Sequence, residues 1–143
     1  MGRFFGSYNR SLDSKGRLLI PAKLLSPGVT SFYVLRGFDG CVAVYEQDEF
    51  DKLVASLEAM DYNDERQRAY VRLVSASIVK LPLDSHNRVN LTQPMLREYG
   101  IGQEVVLIGV LDHFEIWDSL AYSAYQLANS GSLNNPYGGY HRG

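Results

Sequence analysis

The sequence holds a single cysteine, Cys41, which excludes an internal disulfide framework and any zinc site built from several thiolates. Its three histidines, His86, His113 and His141, have no metal-ligand spacing and are expected at the surface, in turns or in the tail. No apolar run reaches the length of a membrane-spanning helix, and the opening MGRFFGSYNR lacks the apolar region of a signal peptide. The expected compartment is the cytoplasm. There is no GxxxxGK(S/T) loop, no GxGxxG after a strand, no GxSxG and no HExxH. No enzyme, cofactor, metal or small-molecule substrate is therefore expected. Cys41, in an apolar strand, reads as a small core residue rather than a nucleophile. Asp13 and Asp84 invite comparison with a paired acid and base, but aspartates that bond the backbone two residues on explain both without catalysis.

What is present is enough for one domain, or two small ones fused, in 143 residues of which 45% are hydrophobic and 21% charged. Net charge is only −2, yet its distribution is uneven. Residues 1–36 carry a net +5, from Arg3, Arg10, Lys15, Arg17, Lys23 and Arg36 against Asp13. Residues 46–65 carry a net −7, with eight acids against Lys52. Such a chain can turn a basic face to a polyanion while staying acidic as a whole, although two ordinary solvated faces explain the pattern equally well.

The chain repeats itself. Leu12-Asp13-Ser14-Lys15-Gly16-Arg17-Leu18 returns as Leu83-Asp84-Ser85-His86-Asn87-Arg88-Val89, 71 residues later. Tyr33-Val34-Leu35 with Gly37 matches Val105-Val106-Leu107 with Gly109 at an offset of 72, and Val42, Val44, Tyr45 and Phe50 match Phe114, Ile116, Trp117 and Tyr122. Each half is too small to bury much alone, so the two are expected to share one core about a pseudo-twofold axis. The chain divides into a first repeat over 1–62, a connecting helix over 63–77, a second repeat over 78–128 and a flexible tail over 129–143. Within the repeats, 4–12 and 17–20 read as strands around a turn, with Asn87 able to replace Gly16 in a left-handed position. Residues 32–36 with 41–45, and 105–108 with 114–117, read as hairpins. Pro21, and Thr92 with Pro94, open short helical pieces. Phe50, Leu53, Val54 and Leu57 mark the inward face of one longer helix, and Leu120, Ala124, Leu127 and Ala128 that of another, capped by Asp118. The connecting helix turns Tyr70, Leu73, Val74 and Ser77 inward and leaves Arg66, Arg68 and Arg72 solvated. The fold class is α+β.

Cations flank the duplicated turn: Lys15 and Arg17 in one copy, His86 and Arg88 in the other, with Arg3, Asn9 and Arg10 nearby. A projecting β-ribbon with arginine at its tip has the size to enter a DNA major groove, where arginine pairs with guanine. Asp13 with Arg17, and Asp84 with Arg88, also read as simple turn staples, and the two roles are compatible.

The run MGRFFGSYNRSLDSKGRLLIPAKLL and the duplicated D-x-x-x-R motif, Asp13/Arg17 and Asp84/Arg88, closely resemble the MraZ family of bacterial proteins, as does VVLIGVLDHFEIWD over residues 105–118. The resemblance spans about residues 1–125. It implies a duplicated SpoVT/AbrB-like β-barrel with flanking helices, a ring-like homo-oligomer, and a nucleoid-associated transcriptional regulator of the division and cell-wall gene cluster. Double-stranded DNA would be the partner, through short direct repeats near its own promoter. By motif match Lys15, Gly16, Arg17 and Arg88 face the DNA while Asp13 and Asp84 hold the loops. Asn87 stands where the family usually has glycine and Thr92 where the first repeat has Pro21, so the second turn is expected to sit differently and contribute less. An oligomeric scaffold without a DNA site is the alternative, and steep salt dependence of binding separates the two.

Overall fold

The computed structural model describes residues 3–138. The strands are β1 (Ser7–Ser11), β2 (Arg17–Leu19), β3 (Ser31–Arg36), β4 (Val42–Tyr45), β5 (Val79–Pro82), β6 (Arg88–Asn90), β7 (Glu104–Gly109) and β8 (Phe114–Asp118). The α-helices are α1 (Gln47–Glu58), α2 (Glu65–Ser77), α3 (Gln93–Glu98) and α4 (Ser119–Ala128). Capping follows the sequence: Asp64, Thr92 and Asp118 each accept a backbone N–H from the first turn of α2, α3 and α4.

Strand pairing departs from the expected ribbon. β1 and β2 do not form a hairpin ladder with each other. β1 pairs with β7 and β2 with β6, so each belongs to a ladder completed by the other repeat. One antiparallel sheet runs β1-β7-β8-β4-β3-β5, and β2-β6 forms a separate two-stranded ladder. The physical reason is burial: neither repeat has the apolar area for its own core, and interleaving joins both into one.

The core lies between the inner face of the large sheet and the β2-β6 ladder. Leu18 and Val89 of the ladder meet Phe32, Val34, Val105, Leu107, Phe114 and Ile116 of the sheet. Phe114 packs edge-on against Phe4 and Phe32, with ring centroids 5.9 and 5.5 Å away. On the sheet's other face Leu35 and Ala43 are covered by α1 and α2 through Leu57 and Val74. The body of α1 and the β2-β6 ladder thus lie on opposite faces of the sheet, while Glu46, Asp48 and Glu49 at the start of α1 line a cleft with Phe4 and the loop from Ser26, whose Oγ donates to Glu46 at 2.8 Å.

This layering corrects one sequence match. Leu83 N–H donates to the Thr30 carbonyl (2.9 Å) and Leu12 N–H to that of Gln103 (2.8 Å). Since Leu12 and Leu83 are equivalent, so are Thr30 and Gln103, 73 residues apart. Phe32 therefore corresponds to Val105, and Val34 to Leu107, all facing the central core. Matching Val34 to Val106 is one residue out, and in a strand one residue exchanges the faces. The offset of 72 holds for Val42 with Phe114 and Val44 with Ile116.

Helix α4 also differs from expectation. Leu120 and Leu127 are 82% and 80% exposed, and Ala124 and Ala128 are exposed as well. The helix docks instead through Tyr122 and Tyr125, whose rings lie 5.1 and 4.9 Å from that of Trp117. Three aromatic rings in contact outweigh an aliphatic stripe that meets no opposing surface among the described residues. On α2, Leu73 is likewise 63% exposed, while Val74 is buried. Beyond α4, Ser130–Leu133 adds one turn of 3-10 helix where a flexible tail was expected. Residues 139–143, His141 among them, lie outside the described residues.

Cys41 is buried, and burial first, then the nearby Glu115 carboxylate, pushes its thiol well above the usual range. His113 is no surface side chain. Its ring stacks on Tyr45 (centroids 4.6 Å apart), with Nδ1 at 2.7 Å from Asp112 and Nε2 at 3.8 Å from Glu115. Burial alone would lower its pKa, but the Glu115 and Asp112 carboxylates outweigh burial and the net shift is upward. A group held protonated by the fold adds stability that is complete below its unfolded value of about 6.5 and is lost as pH rises through the raised folded value. The melting temperature should accordingly fall as pH rises above about 6.5. In His113→Gln that slope should flatten; an unchanged slope assigns the titration elsewhere.

Candidate nucleic-acid interface

Two turns of the same construction frame the β2-β6 ladder. In the first, Asp13 Oδ1 accepts the backbone N–H groups of Lys15 and Arg17, each at 2.9 Å, and Oδ2 accepts Arg17 Nε at 2.6 Å. Asp13 N–H donates to the Arg17 carbonyl, and Gly16 N–H to that of Asp13, both at 3.0 Å. In the second, Asp84 Oδ1 accepts from His86 N–H (2.8 Å) and Arg88 N–H (2.9 Å), and Oδ2 from Arg88 Nε (2.9 Å). Asn87 takes φ 61° where Gly16 takes 81°. The expected difference between the turns is thus absent from their geometry, because asparagine tolerates the left-handed region.

The carboxylates stay ionised. The Arg17 N–H, the Arg17 guanidinium and the Lys15 N–H outweigh desolvation and hold Asp13 at about 2. Asp84 is lowered in the same way, chiefly by the Arg88 N–H. Each aspartate staples its turn and orients its arginine at once. Among the described residues, neither Arg17 nor Arg88 makes a hydrogen bond through its terminal nitrogens.

The ladder sets these turns side by side. Arg17 lies opposite Asn90, Leu18 opposite Val89 and Leu19 opposite Arg88. Leu91 N–H donates to the Gly16 carbonyl and Ile20 N–H to that of Asn87, each at 2.9 Å. Leu18 and Val89 point into the core, so Arg17, Leu19, Arg88 and Asn90 share the outward face. The arginines stand on the diagonal of an antiparallel pair, a spacing of about 7–8 Å in an ordinary ladder and within reach of long side chains. Gly16 is needed twice over: its φ is left-handed, and a Cβ there would lie 2.5 Å from the Leu91 carbonyl oxygen.

Of the residues singled out from sequence, the structure gathers Asp13, Lys15, Gly16, Arg17, Asp84, His86 and Arg88. Lys15 and His86 are exposed at corresponding positions of the two turns. Asn9 and Arg10 are neighbours on the edge strand β1, and their side chains leave it toward opposite faces of the sheet. Arg10 donates to the Asn9 carbonyl at 2.8 Å. Arg3 is exposed at the far end of β1 from the first turn. Leu19 and Asn90, between the arginines, were not evident from sequence because no local signal reveals that β2 pairs with β6.

The sequence matches the family described as "MraZ protein, putative antitoxin-like" over residues 4–73 and again over 77–137. It is 35% identical over 131 residues to a protein of Mycoplasmoides gallisepticum, covering 92% of each chain. It is 34% identical over 123 residues to one of Acetivibrio thermocellus, covering 85% of each. A protein of Lactiplantibacillus plantarum is 34% identical over 133 residues, 92% of this chain and 94% of that one. All three are named transcriptional regulator MraZ.

Proposed function

The chain belongs to the MraZ family, and we propose that it is a sequence-specific DNA-binding transcriptional regulator of the bacterial division and cell-wall gene cluster. The observation that carries this reading is the pair of carboxylate-held guanidiniums on one outward face. With Nε tied to aspartate, each arginine keeps two terminal nitrogens for the O6 and N7 acceptors of guanine. Holding the side chain beforehand reduces the entropy lost on binding. Lys15 and His86 supply phosphate contacts beside them. The body of α1 packs on the far face of the sheet, which keeps its later acids Asp51 and Glu58 away from the arginines.

The fold in this reading is a duplicated SpoVT/AbrB-like barrel, acting in the cytoplasm at the nucleoid. Few cations per protomer on an acidic body make a single contact weak, and a homo-oligomeric ring repairs this by multivalency. The exposed Leu120, Leu127 and Leu133 offer apolar surface for such contacts. Head-to-tail protomers present their turns in one sense, which selects direct repeats near one helical turn, about 10–10.5 bp apart. Bending DNA around a closed ring costs on the order of 1–6 kcal/mol, so a ring that distorts to meet straighter DNA is favoured.

The test is a gel shift on DNA immediately upstream of the chain's own gene, with probes of one, two and three repeats and a half-turn insertion. A shift that survives competitor DNA, weakens steeply with salt, strengthens with repeats and is broken by the insertion is expected. Binding that ignores salt and spacing, or no binding, overturns the reading in favour of a protein scaffold.

A further inference from the structure

The two turns obey the pseudo-twofold closely, and a symmetric pair of arginines would read a short box equally well in either direction. A direct-repeat operator needs more, because every protomer must sit the same way round. The molecule carries an asymmetry of the right chemistry. Arg3, Phe5, Gly6, Tyr8 and Lys23 line an open cleft beside the start of β1, with no carboxylate in its lining. Neither Arg3 nor Lys23 forms an ion pair among the described residues.

The cleft is built by the chain rather than left by chance. Gly6 has φ 91°, and a Cβ on it would lie 2.8 Å from the Tyr8 hydroxyl. That absence lets the Tyr8 ring fold back over the backbone, where its hydroxyl donates to the Phe5 carbonyl at 3.0 Å. Phe5 is left 60% exposed as an apolar wall. Lys23 stands three residues beyond Ile20, whose N–H bonds the Asn87 carbonyl of the second turn. Leu24, next to it, packs into the core on the ladder side of the sheet, so the cleft opens beside the ladder and near the second turn.

The counterpart near the first turn has different chemistry. There Tyr8 is replaced by Val79 and Lys23 by Pro94, while Leu73 and Ala76 of α2 and Met95 of α3 line the depression. The cation in it, Arg36, is already neutralised by Glu98. Among the described residues, one end of the double turn is flanked by two cations without an ion pair, and the other by an apolar hollow and an internal ion pair.

We propose that Arg3 and Lys23 grip a backbone phosphate of the DNA flanking the box, on the side of the second turn only, and that this one-sided contact fixes the direction in which the protomer lies on its site. The inference rests on the DNA-binding reading above. It adds Lys23 to the interface and assigns Arg3, which the fold keeps away from the first turn, to a separate contact.

The experiment measures binding of the full-length protein to duplexes carrying one box from the DNA upstream of its gene. Flanks are left long or trimmed on either end, and salt is varied. For Arg3→Ala/Lys23→Ala the expected result is about a ten-fold loss on the long duplex, with the salt slope smaller by about 1–2. Trimming one particular flank should cost the parent protein a similar loss and the double variant nothing; trimming the other should affect both equally. Both side chains are exposed, so thermal melting should confirm an unchanged fold. Parent affinity and salt slope in the double variant overturn the proposal, as does a loss that is the same for both flanks. Arg17→Ala/Arg88→Ala serves as the control for the underlying reading. If the parent fails to bind the long duplex, or binds it as well without those arginines, the regulator reading has failed. If only the Arg3 and Lys23 results are negative, the one-sided clamp alone has failed.

Discussion

Arg17→Ala combined with Arg88→Ala is expected to lower affinity for the upstream DNA by roughly 3–4 kcal/mol, about 10²–10³-fold. Each arginine has its Nε fixed by an aspartate and its terminal nitrogens directed outward, so each removes a base contact of about 1–3 kcal/mol. Because the turns match bond for bond, both single variants should weaken binding and relax specificity. Lys15→Ala should instead weaken all sequences alike, as loss of a phosphate contact does. The fold should persist, since each aspartate keeps two backbone N–H donors after its arginine is removed. Fluorescence anisotropy on specific and scrambled duplexes reads the effect. Parent-like binding by the double variant would place the DNA surface elsewhere. Loss in Arg17→Ala with none in Arg88→Ala would show that the second turn, despite its geometry, does not engage.

Gly16→Val is expected to destabilise the fold by about 3 kcal/mol or more, lowering the melting temperature by roughly 10 °C. A β-branched residue at φ 81° is strained, and its Cβ would meet the Leu91 carbonyl at 2.5 Å. That carbonyl belongs to backbone that also donates from Leu91 N–H to the Gly16 carbonyl, so it cannot withdraw without breaking the contact that ties the turn to β6. The same displacement would tilt Arg17, and DNA binding should fall with stability. Asn87→Gly is the matched control: it keeps φ positive at the equivalent position and should change stability by no more than about 1 kcal/mol. If Gly16→Val melts with the parent protein, the close approach of the two repeats at this point is not as described.

Much of the candidate site was legible without coordinates because its chemistry is local. An aspartate four residues before an arginine, with glycine or asparagine between, specifies a turn in which the carboxylate meets backbone N–H groups and the guanidinium alike. Two copies revealed the duplication, and Asp118 and Thr92 were legible as caps because capping depends on adjacent residues. The β3-β4 and β7-β8 hairpins were legible for the same reason.

Other features depended on what lies opposite. Nothing in Ser7–Ser11 states that its partner is β7, nor in Arg17–Leu19 that its partner is β6. Nearest-neighbour patterns made both look like arms of one ribbon. Likewise Leu120 and Leu127 form a sound amphipathic stripe, yet Tyr122 and Tyr125 dock because Trp117 is the surface within reach. His113 resembled a turn residue until Tyr45, from the other repeat, came to stack on its ring.

The repeat and the uneven charge could be read from residue order alone, and the two turns with their aspartate and arginine, the hairpins and the helix caps because they rest on contacts within a few residues. It took the assembled chain to establish that the repeats interleave, that both arginines share one outward face, and that the body of α1 packs behind the sheet. The same assembly brings Arg3 and Lys23 into the lining of one open cleft. The reason is that strand partners are chosen by burial across the whole chain. Half a core does not stabilise either repeat alone, and only the joined halves remove enough apolar surface from water to settle which strands meet.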